Sequence, residues 1–183
     1  MKMETGKRSG REDRGNSGLS LWFQAGFLLL LLVFWLFPQA VRAADMGDIL
    51  PGETKSGSLT APSFLDSWTF DGSTGDRVVI TAVRTGGDNR PEIVLYPPGG
   101  GPAEAYTYDL SGSRLDHQLE QSGLYTIIVQ DHNLDHSGTY NITLLKMPGT
   151  VSSPEDPDGG PIASGETHGG QMSVSDLDAF QFY

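Results

Sequence analysis

The sequence contains no cysteine and, with a formal net charge of −11, few basic residues for its length. Without cysteine the chain forms no disulfide, binds no zinc through thiolates and has no thiol nucleophile. Half of its basic residues precede Ala44, so the rest of the chain is more acidic still. Because such a surface repels phosphate groups, we expect no nucleic-acid partner and no adhesion to anionic lipid.

Long hydrophobic runs are also absent, apart from residues 26–37. This run follows a polar, net basic segment and precedes small residues at Ala43 and Ala44, which is the order of a secretory signal peptide. We predict a helical signal peptide over residues 1–43 and a mature chain that is periplasmic, extracellular or on the cell surface, with no membrane contact after cleavage. The alternative is an uncleaved anchor, because extending the run back to Leu19 approaches the ~20 residues of a spanning helix.

The sequence is instead rich in turn residues, with 24 glycines and 11 prolines, and it has few long helical periodicities. Two segments show the two-residue alternation of β-strands most clearly. The alternating apolar residues are Tyr125, Ile127 and Val129 in the first segment and Tyr140, Ile142 and Leu144 in the second. A polar loop joins the segments, and we expect their apolar faces to share one core.

Shorter alternating or β-branched segments precede this pair and predict six further strands, at residues 55–59, 63–70, 77–83, 91–96, 105–109 and 114–119. Some eight short strands separated by turns indicate an all-β domain over residues 44–147, a jelly-roll-like antiparallel β-sandwich. We predict that its core is formed by Trp68, Phe70, Val78, Ile80, Ile93, Leu95, Tyr125, Ile127, Val129, Tyr140, Ile142 and Leu144.

Residues 148–161 consist mainly of Pro, Gly, Ser and acidic residues, and we predict that they form a linker. Beyond it, residues 162–167 repeat the pattern of residues 49–54, and residues 177–182 repeat that of residues 65–70. Such self-similarity is typical of a tandem array. Because two strands cannot bury a core, we interpret residues 162–183 as the truncated start of a second repeat.

Several segments together resemble a known family. In order they are residues 65–70 (LDSWTF), 75–80 (GDRVVI), 91–99 (PEIVLYPPG), 123–129 (GLYTIIV) and 138–144 (GTYNITL). They resemble the bacterial pre-peptidase C-terminal domain over about one full copy. The resemblance implies a jelly-roll-like sandwich that serves as a non-catalytic accessory module in secreted proteases and other surface proteins.

Some members of that family bind Ca²⁺ through an acidic N-terminal segment and an Asp before the aromatic strand. Asp66 and Asp178 match that Asp, whereas residues 44–49 lack the acidic segment. From the residues themselves, Asp66, Asp71 and Asp76 cluster around one strand end and turn and could contribute carboxylate ligands to Ca²⁺. Alternatively, Asp66 caps backbone amides, and Asp71 and Asp76 are turn residues.

Two other clusters each have two interpretations. Residues 131–136 (DHNLDH), with His117, would provide metal ligands or simply form a solvated loop. Tyr96, Tyr106 and Tyr108 would form an aromatic platform for sugars or pack against neighbouring strands.

No Gly-x-Ser-x-Gly motif occurs, and no other arrangement predicts an activated nucleophile. We therefore expect a non-enzymatic module, without a cofactor other than calcium, in a larger secreted or cell-surface protein such as a protease. It would act in domain support, targeting or adhesion, with other domains of the same polypeptide or an extracellular protein or polysaccharide as partners. The alternative is a calcium-dependent or carbohydrate- or protein-binding adhesion module.

Overall fold

The structure is a computed structural model that describes residues 42–154 and 157–182. The predicted signal peptide lies almost wholly on residues 1–41, outside the described residues. Its helix and its cleavage after Ala43 therefore stay predictions.

Nine strands build the main domain, and each short alternating segment of the sequence contributes one. They are β1 (Ala44–Asp48), β2 (Glu53–Leu59), β3 (Leu65–Gly72), β4 (Arg77–Gly87), β5 (Pro91–Tyr96), β6 (Ala105–Tyr108), β7 (Gly112–Gln118), β8 (Gly123–Asp131) and β9 (Gly138–Met147).

The strands form two sheets, ordered β1-β3-β8-β5-β6 and β2-β9-β4-β7. Apart from β5 and β6, consecutive strands from β2 to β9 lie in opposite sheets, so the chain crosses the core at almost every connection. All pairings among these eight strands are antiparallel. The predicted all-β, jelly-roll-like sandwich is confirmed.

One strand was not predicted. β1 pairs with β3 in parallel, and its register shifts between Asp45 and Gly47. The five-stranded sheet is therefore mixed rather than purely antiparallel. β1 is exposed along most of its length, so it lacks the apolar alternation that identifies a strand in sequence.

β8 and β9 do share a core, as their alternation predicts, but they do not form a hairpin. β8 lies in the five-stranded sheet and β9 in the four-stranded sheet, so the polar loop between them crosses from one sheet to the other. Each of the two strands begins with a glycine, Gly123 and Gly138. A Cβ on Gly138 would lie 2.5 Å from the Gly86 carbonyl oxygen, so β9 approaches β4 closely there.

The core lies between the two sheets, and all twelve residues predicted for it are buried there. Alternation places these side chains on the inner face of each strand, where they exclude water. Five further core residues were not predicted: Ile49, Leu59, Ala82, Leu115 and Leu119.

The described residues after the sandwich pack against it. β10 (Gly160–Pro161) and β11 (Phe180–Gln181) pair in parallel as a separate two-stranded sheet. In the predicted linker, the side chain of Val151 is only 4% exposed. The described part of this stretch is therefore seated on the domain, although its composition is typical of a flexible linker.

Candidate functional site

Asp66 lies inside the sandwich and is held by a chain of hydrogen bonds. Its Oδ2 accepts from the Tyr140 hydroxyl at 2.8 Å and from the Ser58 backbone N–H at 3.2 Å. The Trp68 indole N–H in turn donates to the Tyr140 oxygen at 2.9 Å. Burial raises the pKa of the Asp66 carboxyl, although both of its hydrogen bonds favour the charged form. This geometry ties β3 to β9 and β2.

Asp76 closes the turn between β3 and β4. Its Oδ2 accepts from the Ser73 backbone N–H at 3.0 Å and forms an ion pair with Lys146 Nζ at 3.0 Å. Burial acts to raise the pKa of Asp76, but the Lys146 and Ser73 hydrogen bonds outweigh it and lower the pKa. Asp71 is exposed near the end of β3.

The structure does not gather Asp66, Asp71 and Asp76 into a metal-binding group. Among the described residues, only Asp131, Asp135 and His136 offer three candidate ligand atoms within 4.8 Å of one another. Asp66 and Asp76 each make other contacts. Calcium binding by the three predicted residues stays a prediction.

In the group formed by Asp131, Asp135 and His136, the carboxylate of Asp131 already accepts hydrogen bonds from the backbone. Oδ1 accepts from the Arg90 backbone N–H at 2.7 Å, and Oδ2 accepts from the N–H groups of Asp135 and His136 at 3.1 and 3.2 Å. Burial would raise the pKa of Asp131, but these three donors outweigh it and lower the pKa. The side chain fixes the loop from β8 to β9 and leaves its lone pairs poorly placed for a metal.

The three histidines of the sandwich do not converge. His117 Nε2 lies 3.0 Å from Glu104 Oε1, and His132 Nδ1 lies 2.8 Å from Glu92 Oε2. His136 lies beside Asp135. Each imidazole therefore has its own carboxylate, and together they form no zinc site.

A separate group of carboxylates, Asp158, Asp176 and Asp178, lies in the segment after the sandwich. Asp176 is only 6% exposed; its Oδ2 accepts from the Ser173 N–H at 3.2 Å, whereas its Oδ1 has no hydrogen-bond partner. Asp178 Oδ1 is likewise buried without a partner, and Asp158 accepts from the Gln171 N–H at 2.5 Å. Burial and the neighbouring carboxylates of Asp176 and Asp158 raise the pKa of Asp178. The candidate ligand atoms of these three residues do not all lie within 4.8 Å of one another.

Asp158 and Asp176 also line a polar cleft of about 630 Å³ between this segment and the outer face of β2 and β9. Alignment of the two internal repeats pairs Asp178 with Asp66, but the sequence did not identify Asp158 or Asp176 as candidate ligands. Asp176 corresponds to an apolar residue, Phe64, in the first copy, and Asp158 was assigned to a linker. The acidic pattern of residues 155–158 was the available signal.

The same segment repeats the backbone pairing of the sandwich. Ile49 N–H donates to the Thr69 carbonyl at 2.9 Å, and Ile162 N–H donates to the Gln181 carbonyl at 2.8 Å. The register also agrees, because the residues before the two isoleucines lie opposite Thr69 and Gln181.

The turns that follow these isoleucines are alike too. Glu53 Oε2 accepts from the Leu50 N–H at 2.8 Å, and Glu166 Oε2 accepts from the Ala163 N–H at 2.7 Å. Each Glu N–H donates back to the carbonyl of the same residue, at 3.0 and 3.1 Å.

Hydrogen bonds fasten this segment to the four-stranded sheet. The hydroxyl groups of Thr81 and Thr143 donate to the Ser175 carbonyl at 2.9 and 2.6 Å, and Asn141 Nδ2 donates to the Val174 carbonyl at 2.9 Å. Thr81 and Thr143 are cross-strand neighbours on β4 and β9. The outer face of this sheet is therefore a docking surface.

The outer face of the other sheet carries exposed aromatic residues at its β6 edge. Tyr106 is 69% exposed and Tyr108 is 54% exposed, and they lie opposite Val94 and Glu92 of β5. Tyr96, the third predicted member, is partly buried and follows the same alternation on β5. The structure therefore brings the three tyrosines to one face.

Within the described residues, no helix is long and apolar enough to cross a bilayer.

Comparison with known proteins finds similarity only among solved structures, since no family model and no curated protein matches the sequence. The chain is similar to the pre-peptidase C-terminal domain of a collagenase from Bacillus anthracis, with 18% identity and a TM-score of 0.41 over 58% of this chain and 98% of that one. It is also similar to PliG, a periplasmic inhibitor of g-type lysozyme from Aeromonas hydrophila, with 14% identity and a TM-score of 0.43 over 56% and 99%. Likeness at this level carries no argument about function, and membership of the pre-peptidase C-terminal family stays a prediction.

Proposed function

We propose that this chain is a non-catalytic, exported accessory region built from tandem β-sandwich modules of the pre-peptidase C-terminal type. Export depends on the predicted signal peptide over residues 1–43. The modules support or target a larger secreted or cell-surface protein, and their first partners are other domains of the same polypeptide.

The repeated pairing of residues 160–181 is the observation that carries this proposal. An equivalent hydrogen bond, register and Glu-capped turn occur at the start of the sandwich and again after it. Phe182, which corresponds to Phe70 in the repeat, is 84% exposed, whereas Phe70 is 3% exposed. An apolar face of this kind is stabilised when further strands cover it, as they do in the first module.

The contacts of Ser175 support a rigid rather than a flexible connection. Its carbonyl accepts two threonine hydroxyl groups, and each such hydrogen bond contributes about 0.5–1.5 kcal/mol. Successive modules would then hold a constant orientation, which suits a support or a spacer.

Hydrogen–deuterium exchange of the full chain tests this arrangement. We expect slow exchange at the amides of Ile162 and Gly160, and faster exchange across residues 160–182 in Thr143→Val, with the sandwich unchanged. Thr126→Val, on the outer face of the other sheet, is the matched control and should behave as wild type. Exchange of residues 160–182 at the rate of an unfolded peptide in wild type would contradict the proposal.

A second candidate function, calcium-dependent adhesion, is favoured by the buried and unpartnered Oδ1 of Asp176. Ca²⁺ requires 6–8 oxygen ligands, and Asp158, Asp176 and Asp178 would supply carboxylates of the required hardness after a local rearrangement, because their oxygens do not all lie within 4.8 Å of one another. A bound cation would relieve the repulsion that raises the pKa of Asp178. These residues would hold the ion where the second segment meets the first module.

Isothermal titration calorimetry with Ca²⁺ separates the two acidic groups. If Asp158, Asp176 and Asp178 bind the ion, wild type and Asp71→Asn should bind Ca²⁺ with equal affinity, and Asp176→Asn should lose binding. Loss of binding only in Asp71→Asn would instead favour the site predicted at Asp66, Asp71 and Asp76. A chain that releases no heat with Ca²⁺ has no calcium-dependent function of this kind.

A further inference from the structure

Three tyrosines form a row across the outer face of the β5–β6 edge. Tyr106 and Tyr108 are two residues apart on β6, so their Cα atoms are separated by about 6.7 Å. Tyr96 is the diagonal neighbour of Tyr106, because Leu95 pairs with Ala105. Diagonal neighbours lie roughly 7–8 Å apart. The row therefore presents several ring-sized contact positions on one flat face.

Tyr108 is held in place from behind. Its ring stacks on the His132 imidazole, with centroids 3.8 Å apart and an interplanar angle of 11°. His132 Nδ1 lies 2.8 Å from Glu92 Oε2, and Glu92 is the cross-strand partner of Tyr108. A ring supported in this way loses little rotational freedom when a ligand contacts it.

The exposure of these rings is exceptional for the tyrosines of this domain. Tyr125 and Tyr140 are fully buried in the core, whereas Tyr106 and Tyr108 leave more than half of their surface in water. Val94 lies beside Tyr106 on the same outer face and is only 8% exposed, so neighbouring side chains cover it and the tyrosine rings form the exposed apolar surface there. Exposed aromatic surface of this kind marks a contact site.

From this row we infer that the β5–β6 face binds an uncharged polysaccharide. Rigid tyrosine rings offer a large amphipathic contact at low entropic cost, and the apolar C–H face of a pyranose ring matches them. Polar groups for the sugar hydroxyls stand beside the rings, on Glu92 and on its other cross-strand neighbour, Gln130.

Charge and area select this class of ligand over the alternatives. Glu92 and Asp109 flank Tyr108 in a chain of net charge −11, so an anionic glycan is repelled. Each tyrosine buries at most about 150–250 Å², so three partly buried rings provide less than the ~800 Å² that a specific protein interface needs on each side. A row of exposed rings outside any enclosed cavity also suits an extended chain better than a short sugar held in a pocket.

The inference deepens the proposed function, on whose exported location it rests, because structural polysaccharides are met outside the cell. It does not depend on the docking of residues 160–182, which lie against the other sheet. The two proposals therefore fail separately.

Sedimentation with cellulose and chitin, and affinity electrophoresis in a soluble galactomannan, test the inference on the full chain. We expect wild type to be retained by at least one of these neutral polysaccharides. Tyr106→Ala and Tyr108→Ala should each weaken retention roughly two- to tenfold, as expected for the loss of one aromatic contact. Tyr106→Phe, which keeps the ring, should remain close to wild type.

Leu124→Ala provides the matched control, because Leu124 is 54% exposed on the same sheet but lies outside the row. Absence of retention on all three polysaccharides overturns the inference, and so does retention that survives both tyrosine-to-alanine substitutions. Circular dichroism melts and the exchange of residues 160–182 should be unchanged in every variant, which separates this result from a failure of the module itself.

Discussion

At the scale of single residues, the chain from Trp68 through Tyr140 to Asp66 is the most constrained polar arrangement in the core. All three side chains are buried, and the Tyr140 hydroxyl both accepts from the indole and donates to the carboxylate. Burial and the nearby carboxylate raise the pKa of Tyr140. The hydroxyl therefore stays protonated and remains a donor.

Tyr140→Phe should lower the free energy of unfolding by about 1–3 kcal/mol at pH 7, because a buried carboxylate loses its hydroxyl donor. The loss should be smaller near pH 3, since the pKa of Asp66 is raised and a protonated carboxyl needs the donor less. Urea unfolding at both pH values measures this difference.

Tyr125→Phe is the control for that substitution, because its hydroxyl is hydrogen-bonded to the backbone of Gln121 and interacts with Glu104 rather than with Asp66. It should cost less and show no comparable pH dependence. An equal loss in Tyr140→Phe at both pH values would mean that Asp66 is not the group that needs the hydroxyl.

The sequence predicted that Trp68 and Tyr140 are buried, but it predicted neither the burial of Asp66 nor how the polar atoms are paired. Alternation places Trp68 and Tyr140 on inner faces, yet they lie 72 positions apart in the chain. Their contact depends on how β3 and β9 are stacked across the core. That stacking is a tertiary property, which the pattern of a single strand does not contain.

At the scale of elements, the strands with a buried apolar face were all predicted, and β1, which has none, was not. β8 alternates strictly between buried and less buried residues, and its existence was clear from the sequence. β1 has no buried residue, and only its pairing with β3 defines it. Pairing between distant segments leaves little trace in composition.

Composition says less about the residues after β9. Proline, glycine and acidic residues predict a linker over residues 148–161, within which Val151 is buried, and beyond it the Ser175 carbonyl accepts hydrogen bonds from the sheet. Hydroxyl side chains on β4 and β9 provide these donors. In sequence, threonine indicates only a preference for strands, and nothing there shows what its hydroxyl contacts.

At the scale of the whole molecule, two lowered pKa values predict how the fold responds to acid. The carboxyls of Asp76 and Asp131 have pKa values below their ordinary value of 3.8. Each therefore contributes stability that is present above pH 3.8 and is lost as the pH falls through the lowered folded-state pKa. Asp66, whose pKa is raised, acts in the opposite sense, since its contribution fades as the pH rises.

Asp131→Asn should accordingly be less stable than wild type at pH 7, by about 1–3 kcal/mol, and should lose less further stability between pH 4 and pH 2. Denaturant unfolding across this range gives both quantities. Asp135→Asn is the matched control in the same loop, because its side chain is 57% exposed. If both variants show the same acid response, Asp131 does not govern it.

The edge of the five-stranded sheet has a consequence for solubility. β1 covers one side of β3, and its register shifts between Asp45 and Gly47. Lys55 Nζ donates a hydrogen bond to the Asp48 carbonyl at 2.6 Å. A short, irregular and charged margin is a poor template for another chain to add to. β1 therefore protects a strand-rich protein against amyloid-like stacking at high local concentration.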